Sequence, residues 1–520
     1  MYNLLIKNGK VIDGTGKNGE ILDIAVEGDK IVNIAPNISV KAGNTIDAKE
    51  KIVAPGFVDI QNHSDSYWQI FDNPSLHSLT SQGFTTILTG NCGGSLAPLF
   101  SSEALLSIQK WHDLSGANIN WQTFSEYLNE LSKKSIACNV ASLAGYSTLR
   151  RGVVGDQVRS LEKQEMELLN RTLEESLDAG AFGLSSGLSY SHEIIISELE
   201  LFHLARTLKK NKSLFSVHLR NEGDEIVEAL DEVLDIAKNT EVNLKISHLK
   251  IKGKNNWNKF DQITERLDNA YHKGINVHFD VYPYDTVWQP LYSYLPKWAT
   301  TGGRVLLLKQ LKDPVQKNKI LMYLGSQHVR FGDLFVASTS SKLNFVGKTL
   351  NQIAKNLEIT SEAALLNLIE NGGSEVLVFE KNLDENQVKN FTAHALSFIA
   401  TDGAGFKNNV QGKLVHPRCF GTAPKGIELV KQAGGSIEQA IKKLSYGPSQ
   451  KLGLNKRGSL QIGNFADIVI FDENKFTGKA TYQNPYQYSA GMEEVFVNGK
   501  AVISEGKFTG NLPGYVLRKK

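Results

Sequence analysis

Four residues able to hold a metal ion close four separate apolar runs. Thr85-Thr86-Ile87-Leu88-Thr89-Gly90-Asn91 leads to Cys92, and Phe215-Ser216-Val217 leads to His218. Leu244-Lys245-Ile246-Ser247 leads to His248, and Phe398-Ile399-Ala400-Thr401 leads to Asp402. A thiolate, two imidazoles and a carboxylate form a donor set suited to zinc. Taken singly, each has an ordinary explanation: a lone cysteine as a small buried apolar residue, a strand-end histidine as a hydrogen-bonding group, Asp402-Gly403 as the start of a turn. Four at the same point of four runs outweigh those explanations. A fifth run, from Ile52 to Ile60, ends in Gln61-Asn62-His63-Ser64-Asp65. At a strand end residues i and i+2 share a side, so histidines at 61 and 63 could grip one cation. Position 61 is Gln, a poor ligand for zinc. The remaining histidines lack this context: His77, His112, His192, His203, His272, His328 and His394 read as surface or supporting groups, and His278, earlier in its run, as structural.

Elements must bring these ends together. Apolar or β-branched runs recur at 52–60, 85–92, 136–145, 182–190, 214–220, 243–248, 276–282 and 397–402, and helix-like stretches separate many of them. The stretch 161–179 has helical spacing and stops before Gly180, a suitable C-cap; 225–239 and 260–273 are similar. Eight strands alternating with helices predict the α/β class and a (β/α)8 TIM-like barrel, with an open doubly wound sheet as the alternative. In a barrel the strand ends converge on one face, where such folds place their chemistry. Both termini look different. Asn8-Gly9 and Asn498-Gly499 are hairpin signals within alternating runs, and 466–471 reads as another strand. Residues 1–52 and 450–520 are therefore expected to form one small β-sandwich-like domain, and 53–449 the barrel. The interval 285–395 is too long for a bare loop and predicts an insertion with its own helices, such as 360–371, near the mouth of the site.

Composition sets outer limits. The chain has 520 residues, 41% hydrophobic and 22% charged, which fits a globular protein with a large core. A net charge of +2 offers no basic surface for nucleic acid. Three cysteines give no disulfide framework and suit a reducing compartment. No apolar run reaches the roughly 20 residues needed to span a bilayer, and the start lacks a long apolar stretch. The expectation is a cytoplasmic protein with a small-molecule substrate and neither nucleic-acid nor membrane partners. Its oligomeric state is open.

The chain resembles the amidohydrolase superfamily, and within it the D-aminoacylase (N-acyl-D-amino-acid deacylase) branch. The likeness runs nearly the whole length, through Ala54-Pro55-Gly56-Phe57-Val58-Asp59, Gly90-Asn91-Cys92-Gly93, Gly183-Leu184-Ser185-Ser186-Gly187-Leu188, Ser247-His248-Leu249-Lys250, Tyr282-Pro283-Tyr284, Ala400-Thr401-Asp402-Gly403 and His416-Pro417-Arg418. It continues in Gly463-Asn464-Phe465-Ala466-Asp467-Ile468 and Val497-Asn498-Gly499. Cys92 is its most specific mark, because many related enzymes use a carboxylated lysine where this branch has a cysteine. The resemblance implies that Cys92, His218 and His248 hold one tightly bound Zn2+. It implies that His63 and Asp402 contribute to a weaker neighbouring site, and that Asp402 is the general base and acid. Lys250 and Arg418 are then the residues that hold a substrate carboxylate, with help from Tyr282 or Tyr284.

That chemistry is physically coherent. A zinc ion polarises an amide carbonyl and lowers the pKa of a bound water toward about 7. Asp402 can take the proton from the water and deliver it to the departing amine. The arginine fork of Arg418 matches a carboxylate bidentately and would select substrates ending in a free acid. The expected reaction is hydrolysis of the linear amide bond of an N-acyl-D-amino acid, giving a carboxylate and a free D-amino acid. Cleavage of a cyclic amide or of a dipeptide with a D-residue is the alternative, and a catalytically silent scaffold the outlying one. Three departures from the family pattern stand out: Gln61, Tyr146 in place of a frequent histidine, and Asp285-Thr286-Val287-Trp288 in place of a hydroxyl-rich stretch. The first predicts a single zinc; the others predict an altered substrate pocket.

Overall fold

The computed structural model describes residues 2–108, 117–190, 192–300, 303–327, 329–339, 345–372, 375–410 and 412–520; His112 and His328 lie outside them. Its centre is a barrel. Strands β1 to β5 are Tyr2–Val11, Glu20–Glu27, Lys30–Ala35, Ala42–Asp47 and Ile52–Pro55; they precede the barrel. Its wall is built from β6 (Phe57–Asp59), β7 (Phe84–Thr89), β8 (Asn139–Ser142), β9 (Ala144–Gly145), β10 (Gly183–Gly187), β11 (Leu214–His218), β12 (Asn243–Ile246) and β13 (Val277–Val281). After an insertion carrying β14 (Thr286–Pro290), β15 (Phe335–Ser338) and β16 (Leu377–Lys381), β17 (Ser397–Ile399) completes it. Two parallel arcs, β6-β7-β8 and β9-β10-β11-β12-β13-β17, make the wall. β8 and β9 are one strand interrupted at Leu143, and a parallel bridge between Asn62 and Gly403 joins β17 to β6. The wall thus closes, as expected for a barrel of parallel strands.

Helices cover the wall where the sequence carries 3.6-residue periodicity. In Ile226–Thr240 the buried Ile226, Leu230, Val233, Leu234 and Ala237 lie on one stripe. Ser197 caps Glu198–Lys210 by accepting from the Glu200 amide. The stretches predicted at 161–179 and 260–273 are the helices Lys163–Asp178 and Phe260–His272.

The run 52–60 does not form one barrel strand. Ile52–Pro55 pairs in parallel with β1 and antiparallel with β18 (Ile468–Phe471), whereas Phe57–Asp59 pairs with β7. Gly56 sits at the break: a Cβ there would lie 2.2 Å from Thr85 Oγ1, so only glycine lets the chain pass from one sheet to the other. Because β5 joins both termini, β1–β5, β18, β19 (Met492–Val497), β20 (Lys500–Ser504) and β21 (Lys507–Phe508) form one continuous nine-stranded sheet, whose β3 edge meets the segment before β18 through a Lys30–Phe465 bridge. The last residues also depart from the expected boundary. Val140 donates to Tyr515 O, and Lys519 to Gly180 O, so the tail returns to the barrel.

The insertion has its own core, with Leu291, Phe331, Ile353, Leu365 and Ile369 buried together over an antiparallel β14-β16-β15 sheet. It is shorter than the interval 285–395, because the helix Glu385–Ala393 packs on β13 and β17 as part of the barrel. Its first strand reaches the barrel mouth: Trp288 stacks on Tyr67, ring centroids 5.2 Å apart. Among the described residues no helix is long and apolar enough to cross a membrane.

Candidate metal centre

Cys92, His248 and Asp402 each leave a barrel strand with positive φ, 53°, 37° and 45°. Non-glycine residues adopt this conformation only when their surroundings enforce it, and such strain gathers at functional sites. Here the enforcing bonds are visible. The His248 amide donates to Asp280 Oδ1 at 2.8 Å, and the Asp402 amide to Gln61 O at 2.9 Å. Gly90, two residues before Cys92, has no room for a side chain, since a Cβ would lie 2.2 Å from Leu143 O.

Potential ligand atoms of Cys92, His218 and His248 lie within 4.8 Å of one another, and so do those of His63, Cys92 and Asp402. Cys92 is the common member. On its first flank His248 Nε2 is 3.4 Å from Cys92 Sγ. His248 Nδ1 stands 3.2 Å from Glu222 Oε1, and His218 Nε2 2.9 Å from Ser189 Oγ. His218 Nδ1 is buried and, among the described residues, finds no hydrogen-bond partner of ordinary geometry. A buried orphan nitrogen beside a thiolate and a second imidazole, the latter backed by a carboxylate, is the donor arrangement of a zinc site with its outer shell in place. The residues therefore fit the ion that the resemblance implies.

The second flank is built differently. Gln61 Nε2 donates to Cys92 Sγ at 3.1 Å, while Lys245 Nζ donates to Gln61 Oε1 at 2.6 Å. Lys245 is fully buried and pairs with Asp280 Oδ2, also at 2.6 Å. His63 Nε2 is 3.1 Å from Asp402 Oδ1 and 3.9 Å from Cys92 Sγ. Arg418 Nη1 holds the other carboxylate oxygen of Asp402 at 2.8 Å.

Electrostatics follow from this packing. Burial alone would push the Cys92 thiol up; His248, His218 and His63 outweigh it and hold the group well below a free thiol. Burial likewise opposes ionisation of Asp402, yet Arg418, His248 and His63 bring it well below the usual carboxylate range. Burial lowers His63, and the facing Asp402 and Cys92 raise it to about 10. For His248, burial and Lys250 act downward while Asp402 and Cys92 raise it to about 9. Cys92 and Asp402 thus favour their ionised forms and raise His63 and His248, while burial lowers His218.

The residues expected to meet substrate separate into two groups. Arg418 lies with its guanidinium 4.5 Å from the ring centre of Tyr282, whose buried hydroxyl has no partner. Lys250 Nζ is 2.8 Å from His248 Nδ1 and ion-paired with Glu222, so it also supports the metal flank. Tyr284 points elsewhere: its hydroxyl donates to Pro417 O at 3.4 Å, and its ring packs on His416. The two tyrosines left open by the sequence are thus distinguished by position. Tyr146 bonds to Glu200 and Arg150 in a buried cluster. His192, expected on the surface or in support, is buried against Arg151 and Asp156.

Several contributors escaped sequence reasoning. Glu222, four residues after His218, carries Lys250 and Lys252. Its place just beyond a ligand-type residue was the available signal. Lys245 and Asp280 sit inside apolar runs, where a charged residue facing a barrel interior needs a partner. Trp288 lies in the stretch 285–288 that departs from the family pattern, and its stacking on Tyr67 was not foreseen.

Comparison with known proteins agrees with this geometry. The model of the amidohydrolase family matches residues 335–502. The N-acyl-D-glutamate deacylase of Alcaligenes xylosoxydans xylosoxydans is 30% identical over 99% of this chain and 96% of its own. The crystal structure of the N-acyl-D-glutamate deacylase of Bordetella bronchiseptica, complexed with zinc and a phosphonate mimic of the tetrahedral intermediate, superposes with a TM-score of 0.84 at 27% identity, covering 99% of both chains. A D-aminoacylase structure, described as having a binuclear metal centre with one-metal activation and second-metal attenuation, gives 0.83 at 28% identity with full coverage of both chains. Taken with the cysteine-centred donor set at the strand ends, these matches show that the chain belongs to the amidohydrolase superfamily, in its D-aminoacylase branch.

Proposed function

We propose that the protein hydrolyses the amide bond of N-acyl-D-amino acids with one tightly held zinc, and that Asp402 is its general base and acid. The observation that carries this reading is the adjacency of two machines: the Cys92, His218 and His248 donor set, and the Asp402–Arg418 pair 2.8 Å apart. Zinc bound by Cys92, His218 and His248 would supply electrophilic polarisation of the amide carbonyl. Asp402, ionised by its neighbours, accepts the proton of the attacking water and returns it to the leaving amine. His63 and Arg418 hold the two oxygens of that carboxylate and fix its direction. Arg418 has further donors beyond the one spent on Asp402, and these face a substrate carboxylate with Lys250 alongside. The unpartnered hydroxyl of Tyr282 supplies a donor for the substrate. Trp288 stacks on Tyr67, and its ring centre lies 5.8 Å from the Arg418 guanidinium. The D-preference and the single zinc rest on the named relatives and on Gln61.

The test is turnover of a panel of N-acetyl-D- and L-amino acids by purified protein, with zinc counted per chain. Turnover of D-substrates bearing a free carboxylate, with one zinc, is the expected result; no turnover of any such amide sinks the proposal. Asp402→Asn keeps the zinc and lowers kcat by roughly 10²–10⁴, the usual scale of a lost acid–base group. Full activity in that variant would remove Asp402 from the role.

A further inference from the structure

We infer that Lys245 is a positioning residue that closes the Gln61 flank of Cys92 to a second metal ion. The inference rests on the one-zinc reading and explains how the chain enforces it. An amide side chain can turn either end toward a neighbour, and its oxygen can ligate a cation. Lys245 removes that freedom. Its ammonium is a donor only, and it lies 2.6 Å from one end of the Gln61 amide, so that end must be the oxygen. The other end, the NH2 group, is left 3.1 Å from Cys92 Sγ. The thiolate therefore meets hydrogens on this flank instead of sharing a cation.

The remaining donors of the flank satisfy one another. His63 Nε2 is spent on Asp402 Oδ1, and Arg418 takes Oδ2. Lys245 itself is immobile: it is fully buried, paired with Asp280 at 2.6 Å, and Asp280 in turn receives the His248 amide. A divalent ion beside Gln61 would face this ammonium in a low-dielectric interior, where like charges repel strongly. The consequence is specific. Replacing Gln61 by a histidine restores a ligand type but leaves the ammonium, so it alone does not admit a second ion.

Metal-free protein is titrated with zinc by equilibrium dialysis and elemental analysis, and with cadmium by thiolate charge-transfer absorbance. Wild type and Gln61→His each bind one ion. The triple variant Gln61→His, Lys245→Met, Asp280→Asn binds two, the paired neutral changes avoiding a stranded buried charge. Gln61→His with Lys245→Gln, which keeps a hydrogen bond toward Asp280 without the charge, is the second route and also binds two. Two ions in wild type would overturn the one-zinc reading itself. One in wild type but two in Gln61→His alone, held as tightly as in the triple variant, would overturn the role of Lys245 and leave that reading standing. A single ion in whichever of the two variants lacking the ammonium folds, judged by cooperative unfolding and retention of the first zinc, would overturn it as well.

Discussion

At the two ends of the barrel, buried basic side chains meet opposite circumstances. At the mouth they face carboxylates: Arg418 meets Asp402, Lys250 and Lys252 meet Glu222, and Lys245 meets Asp280 just beneath. At the base, a cleft of about 650 Å3 is lined by His278, Lys443 and Lys451. Among the described residues Lys443 Nζ donates to His394 O and to Ser397 O and Oγ, and Lys451 Nζ contacts Asn276 and His278. Charge at the mouth is arranged; charge at the base is only tolerated. On the proposed mechanism, the difference separates groups that orient a base and support a metal site from groups that fill space. The experiments that break it begin where the arrangement is densest.

Cys92 is the shared atom of the mouth, and its loss has the largest expected effect. Cys92→Ala removes the ligand between both flanks and leaves His218, His248 and His63 without the anion they face. The variant is expected to emerge from dialysis without zinc and below about 1% of wild-type turnover, the scale of a lost metal mechanism. A chelator, which lowers the melting temperature of wild type by removing a native-state ligand, then has no further effect on the variant. Stoichiometric zinc retained in Cys92→Ala would show that the histidines alone build the site.

How much of this was legible in the sequence depends on the distance over which each feature is encoded. Cys92, His218, His248 and Asp402 each sit where an apolar run stops, and strand ends are local, so their convergence followed once eight runs implied a barrel. The break at Gly56 did not follow, because 52–58 is an unbroken apolar run and pairing partners hundreds of residues apart, β18 and β7, divide it. Nor did the meaning of Gln61. Read alone it is a lost ligand; only with Lys245 on one side and Cys92 on the other does it become a fixed hydrogen-bond donor. Tyr282 and Tyr284 share a motif and an i, i+2 spacing, yet only Tyr282 packs beside Arg418. The chain turns between them at Pro283, which ends the strand periodicity that would have put both on one side.

Arg418 tests the mouth more gently. Arg418→Lys keeps a charge near Asp402 but loses the planar fork. Charge-assisted hydrogen bonds are worth about 1.5–3 kcal/mol, so KM for N-acyl-D-amino acids should rise by roughly 10- to 150-fold. The fall in kcat should be smaller, because the lysine still favours ionised Asp402. Steady-state kinetics on the free acid and on the corresponding carboxamide separate the two effects: the amide should be nearly insensitive to the change. Equal losses on both substrates would mean that Arg418 serves Asp402 alone.

The base supplies the sharpest contrast with Lys245. Burial, with a lesser push from Lys442, lowers Lys443 from the usual lysine range to about 7, since no carboxylate answers it. The sign is then fixed. Between pH 7 and 10 the unfolded chain binds this proton and the folded chain does not, so the contribution of Lys443 to stability improves as pH rises across that window. Lys443→Met removes the titration while adding a constant offset from the lost hydrogen bonds. The stability difference between wild type and variant should shift in favour of wild type from pH 7 to 10, by at most about 1.4 kcal/mol per pH unit. Denaturant midpoints measured at several pH values read this directly. Parallel curves would mean that the ammonium of Lys443 keeps its charge on three neutral oxygens as securely as Lys245 keeps it on a carboxylate, and the contrast between the two ends of the barrel would disappear.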